Sequence, residues 1–97
     1  MLIDIQKTPE FMRWISKLRD DRAELRINSL FDLLAMGHQG DHKAVGDGVY
    51  ELRIHYGPGY RVYYTYRGLR LVIILAGGDK GSQEKDIKRA HRLAEEY

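Results

Sequence analysis

Three basic side chains, at positions 53, 61 and 80, stand in a pattern that could bind a phosphate. Arg53 and Arg61 lie in two short tyrosine-rich segments, and Lys80 lies in the glycine-containing turn that follows them. Arginine binds phosphate oxygens through a planar pair of N–H donors, lysine supplies a mobile point charge, and tyrosine offers a surface for an unstacked base. This combination predicts a surface that binds single-stranded RNA.

The spacing predicts a β-hairpin that would bring the two arginines together. Residues 49–55 and 60–66 alternate in polarity, and the segment Gly57-Pro58-Gly59 between them is typical of a turn. On neighbouring antiparallel strands Arg53 and Arg61 can share one face. That face would also carry Glu51, His55 and Tyr63. Two simpler interpretations stay open: a cross-strand ion pair between Arg61 and Glu51, and ordinary strand packing for the tyrosines.

The charges are unevenly distributed, although the net charge is only +2, from 16 basic and 14 acidic residues. Residues 52–92 contain nine Lys or Arg against three Asp or Glu, whereas residues 1–50 contain seven against eight. A local basic surface is therefore expected in the second half of the chain. Arg67, Lys85 and Arg89 are predicted to make further RNA contacts, with a plain solvated surface as the alternative for the helical ones.

Length and composition limit the classes of protein to be considered. The 97 residues, 43% hydrophobic and 31% charged, predict one globular domain over residues 1–97. There is no apolar run of roughly 18 residues and no signal-peptide pattern, so we expect a cytoplasmic protein that does not enter a membrane. The chain has no cysteine, and its four histidines lack the spacing of zinc motifs, so we expect neither a metal nor another cofactor.

The N-terminal part predicts a short strand and two helices. Residues 2–6 alternate in polarity, as an edge strand would, and Thr8-Pro9-Glu10 is a typical helix start for a first helix over residues 9–18. Asp20-Asp21 opens a second helix that Gly37 ends. The predicted core residues of this helical hairpin, which should cover one face of a sheet, are Phe11, Trp14, Ile15, Leu30, Phe31 and Leu34.

The C-terminal part predicts a sheet followed by one helix. After a loop over residues 37–48, the two strands of the hairpin are followed by Leu71–Ala76, which is apolar on both faces and should lie in the middle of the sheet, ending at Gly77-Gly78. Ser82 would cap a last helix over residues 83–96. The predicted order β-α-α-β-β-β-α defines an α+β protein with a mainly antiparallel sheet.

The same residues resemble the RelE/HigB superfamily of bacterial type II toxins, in particular the branch called addiction module killer proteins. The resemblance lies in GVYELRIHYGPGYRVYY, with its ELR and GYR strands, and in LAGGDKGSQEKDIKRA, which is similar to a GG-x-K-x-x-Q-x-x-DI-x-x-A turn and helix. It covers essentially the whole chain. The resemblance implies a RelE-like fold and a ribosome-dependent endoribonuclease (an mRNA interferase) that cleaves mRNA in the A site and thereby inhibits translation.

The resemblance also implies roles for individual residues. Arg53 and Arg61 would orient the scissile phosphate and stabilise its charge, and Lys80 would add a third positive charge. The implied reaction is an attack by the ribose 2′-OH on the adjacent phosphate, without a metal, which gives a 2′,3′-cyclic phosphate and a free 5′-OH. Electrostatic stabilisation of the transition state would be the main contribution of the protein.

The proton-transfer groups are less clearly indicated by the resemblance. Some relatives carry a catalytic tyrosine on the last helix, where this chain has Asp86, and the C-terminal segment offers only His91 and Tyr97. Tyr63 and His55 are the best candidates, since they share a predicted face with the arginines and histidine titrates near neutral pH. Glu51 could either hold Arg53 or act as a base.

The resemblance further implies a cognate antitoxin, typically a helix-turn-helix protein, that could form a heterotetramer with the toxin. A second interpretation is a catalytically silent module of the same fold that binds RNA, the ribosome or only the antitoxin. A third is a structural or phage-derived assembly protein, in which Arg53, Arg61 and Lys80 would have no function.

Overall fold

The computed structural model describes residues 2–97, in which five strands and three α-helices occur. The elements are β1 Asp4–Lys7, α1 Pro9–Lys17, α2 Asp21–Ala35, β2 His42–Ala44, β3 Val49–Ile54, β4 Tyr60–Arg67, β5 Leu71–Asp79 and α3 Gln83–Glu96. A 3-10 turn, Lys80–Ser82, joins β5 to α3. Apart from β2, each element lies where the sequence predicts it, with ends shifted by no more than three residues.

The first two helices begin at the caps that the sequence indicates. The Thr8 hydroxyl accepts a hydrogen bond from the Phe11 amide at 3.0 Å and donates one to the Leu75 carbonyl at 2.7 Å. Asp20 caps α2 through the Ala23 amide at 3.1 Å. Because Thr8 is bonded to β5 as well as to α1, this cap also fixes the position of α1 on the sheet.

The strands form one mixed sheet in the order β1-β5-β4-β3-β2. Strand β1 pairs in parallel with β5, and the remaining neighbours are antiparallel. The predicted α+β class, with a mainly antiparallel sheet and β1 at its edge, is therefore confirmed.

Each face of the sheet is covered by different helices. Helices α1 and α2 contribute Phe11, Ile15, Ile27, Phe31 and Leu34 to the core on one face. On the other face, α3 contributes Ala90 and Leu93 to a smaller core. The predicted packing of the helical hairpin is thus confirmed, although Trp14 and Leu30 are only partly buried.

The predicted loop over residues 37–48 is wrong in one respect, because His42–Ala44 forms the edge strand β2. These residues pair with β3, His42 opposite Leu52 and Ala44 opposite Tyr50. All three are exposed, so no apolar alternation marks them as a strand, and only the pairing with β3 defines it.

Strand β5 differs from the prediction at its end and in its position. It continues through Gly77 and Gly78 to Asp79, and β4 rather than β5 is the middle strand. A Cβ atom at Gly77 would lie 2.2 Å from the Trp14 ring, and one at Gly78 would lie 1.8 Å from Oδ2 of Asp86. The two glycines therefore let a helix on each face approach the strand closely and do not end it.

Candidate functional site

Glu51 is a fully buried carboxylate at the centre of a polar cluster. It accepts hydrogen bonds from Nε of Arg53 at 3.2 Å, the Tyr63 hydroxyl at 3.3 Å and Nε2 of Gln83 at 2.7 Å. Nε of Arg61 lies 3.7 Å from Oε1 of the same carboxylate. A buried charge is tolerated only when it is paired and hydrogen-bonded, and four neighbours satisfy that requirement here.

The pairing of β3 with β4 brings Arg53 and Arg61 together, as the sequence predicts. They are directly opposite each other, next to the opposed pair Glu51 and Tyr63. Side-chain exposure is 31% for Arg53 and 11% for Arg61, and Nη1 of Arg61 donates to the carbonyls of Gly59 and Tyr60 at 3.0 and 3.3 Å. The ion pair with Glu51 that the sequence left open is therefore present at Arg61 and extends to Arg53.

The pair with Glu51 does not use up the binding capacity of the arginines. One carboxylate neutralises one of two guanidinium charges, so the cluster keeps an excess positive charge. Each guanidinium has five N–H donors, and Arg53 engages the carboxylate through Nε, which leaves its outer nitrogens for a second anion. The cluster is thus able to hold a phosphate on its exposed side.

Lys80 reaches the same end of the sheet. It is exposed in the turn after β5, and the pairing of Tyr60 with Asp79 sets that turn beside the β3–β4 hairpin. A Cβ atom at Gly59 would lie 3.4 Å from Nη1 of Arg61 and 3.5 Å from Cβ of Lys80. Gly59 has a φ of +77°, so glycine suits this turn and leaves an approach to both cations open.

Tyr63 lies in the core rather than on the surface. Its side chain is fully buried, and burial, followed by the charge of Glu51, raises the pKa of its hydroxyl far above the usual range. The phenol therefore stays protonated and donates to Glu51. This position suits a residue that holds the carboxylate rather than one that exchanges protons with a substrate.

His55 lies just beyond β3 with its side chain 74% exposed, and its Nε2 contacts Oδ2 of Asp41. The hydrogen bond from His55, with added attraction from Arg53 and Arg61, lowers the pKa of the Asp41 carboxyl below its ordinary value. The Asp41 carbonyl also accepts the Arg53 amide at 2.9 Å. Asp41 was not predicted, since a single aspartate in a polar loop carries no sequence signal.

The three predicted RNA-contact residues lie in different places. Arg67, at the far end of β4, donates through Nε to the Tyr97 carbonyl at 3.2 Å and contacts the Ala94 carbonyl, so it caps the C-terminus of α3. Lys85 is exposed and Arg89 is partly buried on α3. The structure therefore does not bring Arg67 into the Arg53–Arg61 cluster.

Helix α3 contributes two side chains whose roles were not predicted. Gln83 bonds Glu51, and Asp86 is buried against Gly78 and accepts a hydrogen bond from the Ser82 hydroxyl. Ser82 thus stands at the start of α3 and donates to Asp86, but its side chain caps no amide of α3. Both Gln83 and Asp86 lie in the motif GGDKGSQEKDIKRA, and this motif is the sequence feature that could have indicated their importance.

Two further features are absent from residues 2–97. No group of three or more His, Cys, Asp or Glu side chains that could hold a metal ion occurs there. No helix in this range is long and apolar enough to cross a bilayer.

Comparisons with known proteins define the fold and then the family. A chain of the E. coli toxin RelE, a mutant with two arginines replaced by alanine in the free state, matches with a TM-score of 0.72, covering 95% of this chain and 97% of that chain at 17% identity. The RelE-like fold expected from the sequence is therefore confirmed. The family model described as "Phage derived protein Gp49-like (DUF891)" matches residues 13–96, and the chain belongs to this family. An uncharacterized protein of Haemophilus influenzae is 50% identical over 96 residues, 99% of this chain and 97% of that protein.

Proposed function

We propose that this protein is the toxin of a type II toxin–antitoxin system and acts as a ribosome-dependent mRNA endoribonuclease that inhibits translation. The observation that carries the proposal is the group of Arg53, Arg61 and Lys80 at one end of the strands β3, β4 and β5. The RelE-like fold supports it, because the resemblance to RelE/HigB toxins implies that these three residues hold the scissile phosphate and stabilise its charge.

The proposed reaction begins with a phosphate held by the guanidinium groups of Arg53 and Arg61. The ribose 2′-oxygen loses its proton and forms a bond to phosphorus, the bond from phosphorus to the 5′-oxygen breaks, and that oxygen takes up a proton. The products are a 2′,3′-cyclic phosphate and a 5′-OH end. Negative charge grows on the phosphate oxygens in the transition state, so fixed cations stabilise it more than they stabilise the bound RNA.

Glu51 would contribute by fixing the arginines before RNA binds. A guanidinium that is already oriented by a buried carboxylate pays little reorganisation energy when it meets a phosphate. Gln83 and Tyr63 hold that carboxylate in turn. This arrangement favours Glu51 as a positioning residue rather than as the base.

His55 is the residue that we propose for proton transfer. It is exposed beside the arginine cluster, and its contact with Asp41 orients the ring. Histidine suits this role because its charge changes near neutral pH.

The test is primer extension on a reporter mRNA after tightly controlled induction in a bacterium. We expect new 5′ ends inside the translated region with the wild type, and none with Arg61→Ala or with a message whose translation is blocked. Arg70→Ala is the matched control, because Arg70 is exposed in the β4–β5 turn at the other end of the sheet and should leave cleavage unchanged. Cleavage that survives Arg61→Ala would contradict the proposed site.

A second candidate is a catalytically silent module that binds RNA, the ribosome or an antitoxin. It is favoured by one observation: Asp86, near the place of a relative's catalytic tyrosine, is 5% exposed and bonded within the protein. Growth arrest by the wild type with intact message would support this candidate over the nuclease.

The partners and location follow from the same proposal. We propose a cytoplasmic toxin held by a cognate antitoxin, typically a helix-turn-helix protein, in a complex that could be a heterotetramer. Residues 52–92 carry the excess of basic side chains, which suits an acidic antitoxin segment. Dissociation of the copurified complex by high salt would support an electrostatic contact, since salt screens exposed charges.

A further inference from the structure

A cleft of about 490 Å³ lies between α2 and the end of β3. Leu25, Leu30 and Ile54 provide its apolar lining, and Ser29, Asp41 and Arg53 are among its polar lining residues. Leu25 is 69% exposed. An exposed apolar side chain beside polar groups of fixed position is a common property of binding sites for small flat groups.

The cleft is continuous with the proposed phosphate site because both contain Arg53. Arg53 is bonded to Glu51 through Nε inside the cluster, and Arg53 is also one of the residues that line the cleft. A phosphate bound to Arg53 and Arg61 would therefore bring an adjoining nucleotide to the mouth of the cleft.

The residues of the cleft match the two kinds of surface that a nucleobase presents. The faces of a base pack on apolar side chains, which Leu25, Leu30 and Ile54 supply. The edges of a base carry amino and ring N–H donors, which the Asp41 carboxylate and the Ser29 hydroxyl can accept. The phosphate contacts alone would need no apolar surface at this place.

We propose that this cleft binds the base of a nucleotide next to the scissile phosphate and so gives the protein a preference for certain bases at the cut. The proposal rests on the proposed nuclease function. The position of the cleft favours a base over a protein segment, because Arg53 of the proposed phosphate site is also one of the cleft residues. Leu33 and Met36, which are 42% and 61% exposed further along α2, lie outside the cleft.

The test fills the cleft without substituting any residue of the proposed phosphate site. Ser29 is exposed on α2 and its hydroxyl donates only to the Leu25 carbonyl at 2.8 Å, so Ser29→Phe should fold and place a ring in the cleft. Asn28→Phe is the matched control, because Asn28 is the adjacent exposed residue on α2 and is not among the cleft residues. RNA 5′ ends are mapped across the transcriptome after brief induction of each variant, and thermal unfolding shows that each is folded.

We expect the wild type and Asn28→Phe to share a preference of about tenfold for one class of base beside the cut, the discrimination typical of one good base contact. Ser29→Phe should still cut, with that preference lost. An unchanged preference in Ser29→Phe, or no preference in the wild type, would overturn the base subsite while leaving the nuclease intact. Absence of any wild-type cleavage would instead overturn the proposed function. Loss of neutralisation by the antitoxin with an unchanged preference would assign the cleft to the protein partner.

Discussion

At the scale of single residues, the negative charge of Glu51 allows the positively charged side chains of Arg53 and Arg61 to lie close together. Arg53 and Arg61 are opposed on neighbouring strands, a placement that is unfavourable for two cations without a shared anion. Glu51 supplies that anion from a buried position. The stability of the sheet and the charge of the site therefore depend on the same carboxylate.

Removing the charge of Glu51 should destabilise the protein. Glu51→Gln keeps the shape of the side chain but leaves two guanidinium groups without their anion, and breaking a buried ion pair costs about 3 kcal/mol. Urea unfolding measures the loss. Glu84→Gln, on the exposed part of α3, is the control and should change the free energy of unfolding by less than about 0.5 kcal/mol. Equal stability of the two variants would refute the role of Glu51.

Substitutions of Tyr63 and His55 should affect different properties of the protein. We expect Tyr63→Phe to lower the free energy of unfolding and His55→Ala to lower the cleavage activity. Tyr63→Phe removes the hydroxyl that donates to Glu51 and should cost about 1.5–3 kcal/mol, the range for a hydrogen bond to a charged group, while cleavage persists. His55→Ala should leave unfolding nearly unchanged and reduce cleavage about 100-fold or more, as expected for a proton-transfer group. Denaturation and primer extension on both variants provide the measurement. Loss of cleavage in Tyr63→Phe together with normal cleavage in His55→Ala would instead identify Tyr63 as the catalytic residue.

Asp41 should titrate below the ordinary aspartate value of 3.8. Because its folded-state pKa is lowered, the pair with His55 contributes stability above the unfolded-state pKa, and this contribution is lost as the pH falls through the lower folded-state value. NMR titration of the Asp41 carboxyl checks the direction. In His55→Ala the pKa of Asp41 should move back up, and an unchanged value would show that His55 is not the cause.

At the scale of elements, the docking of α3 depends on the absence of a side chain at Gly78. A Cβ atom there would lie 1.8 Å from Oδ2 of Asp86, so α3 lies as close to β5 as glycine permits. The same helix carries Gln83 to Glu51. The closeness of this packing therefore determines whether the polar cluster is complete.

Gly78→Ala should push α3 away from β5 and cost about 2 kcal/mol, as overpacking of a core does. In an Asp86→Ala background the same change should cost well under 1 kcal/mol, because the clashing carboxylate is gone. A double-mutant cycle by urea denaturation measures the difference. Equal costs in the two backgrounds would mean that Asp86 does not limit the approach of α3.

At the scale of the whole molecule, the sequence predicted the class of fold and the meeting of the cations, but not the burial of the site. Thr8 and Asp20 marked helix starts, and alternation in residues 49–55 and 60–66 gave the common face of Arg53 and Arg61. Alternation identifies a face without saying what covers it. Only the docking of α3 decides that Glu51 and Tyr63 are buried while Arg53 remains partly exposed. Strand β2 and Asp41 were missed because their positions depend on pairing with β3.

The parallel pairing of β1 with β5 has a consequence for the order of events during synthesis. Residues 4–7 find their partners only at residues 71–74, and the Thr8 cap bonds Leu75. Such distant contacts form late, because a long loop must close first. Lys80 and Gln83 directly follow β5, so they can join the arginines only after β5 has been synthesised. The group of Arg53, Arg61 and Lys80 is therefore absent from every nascent chain that does not yet contain β5.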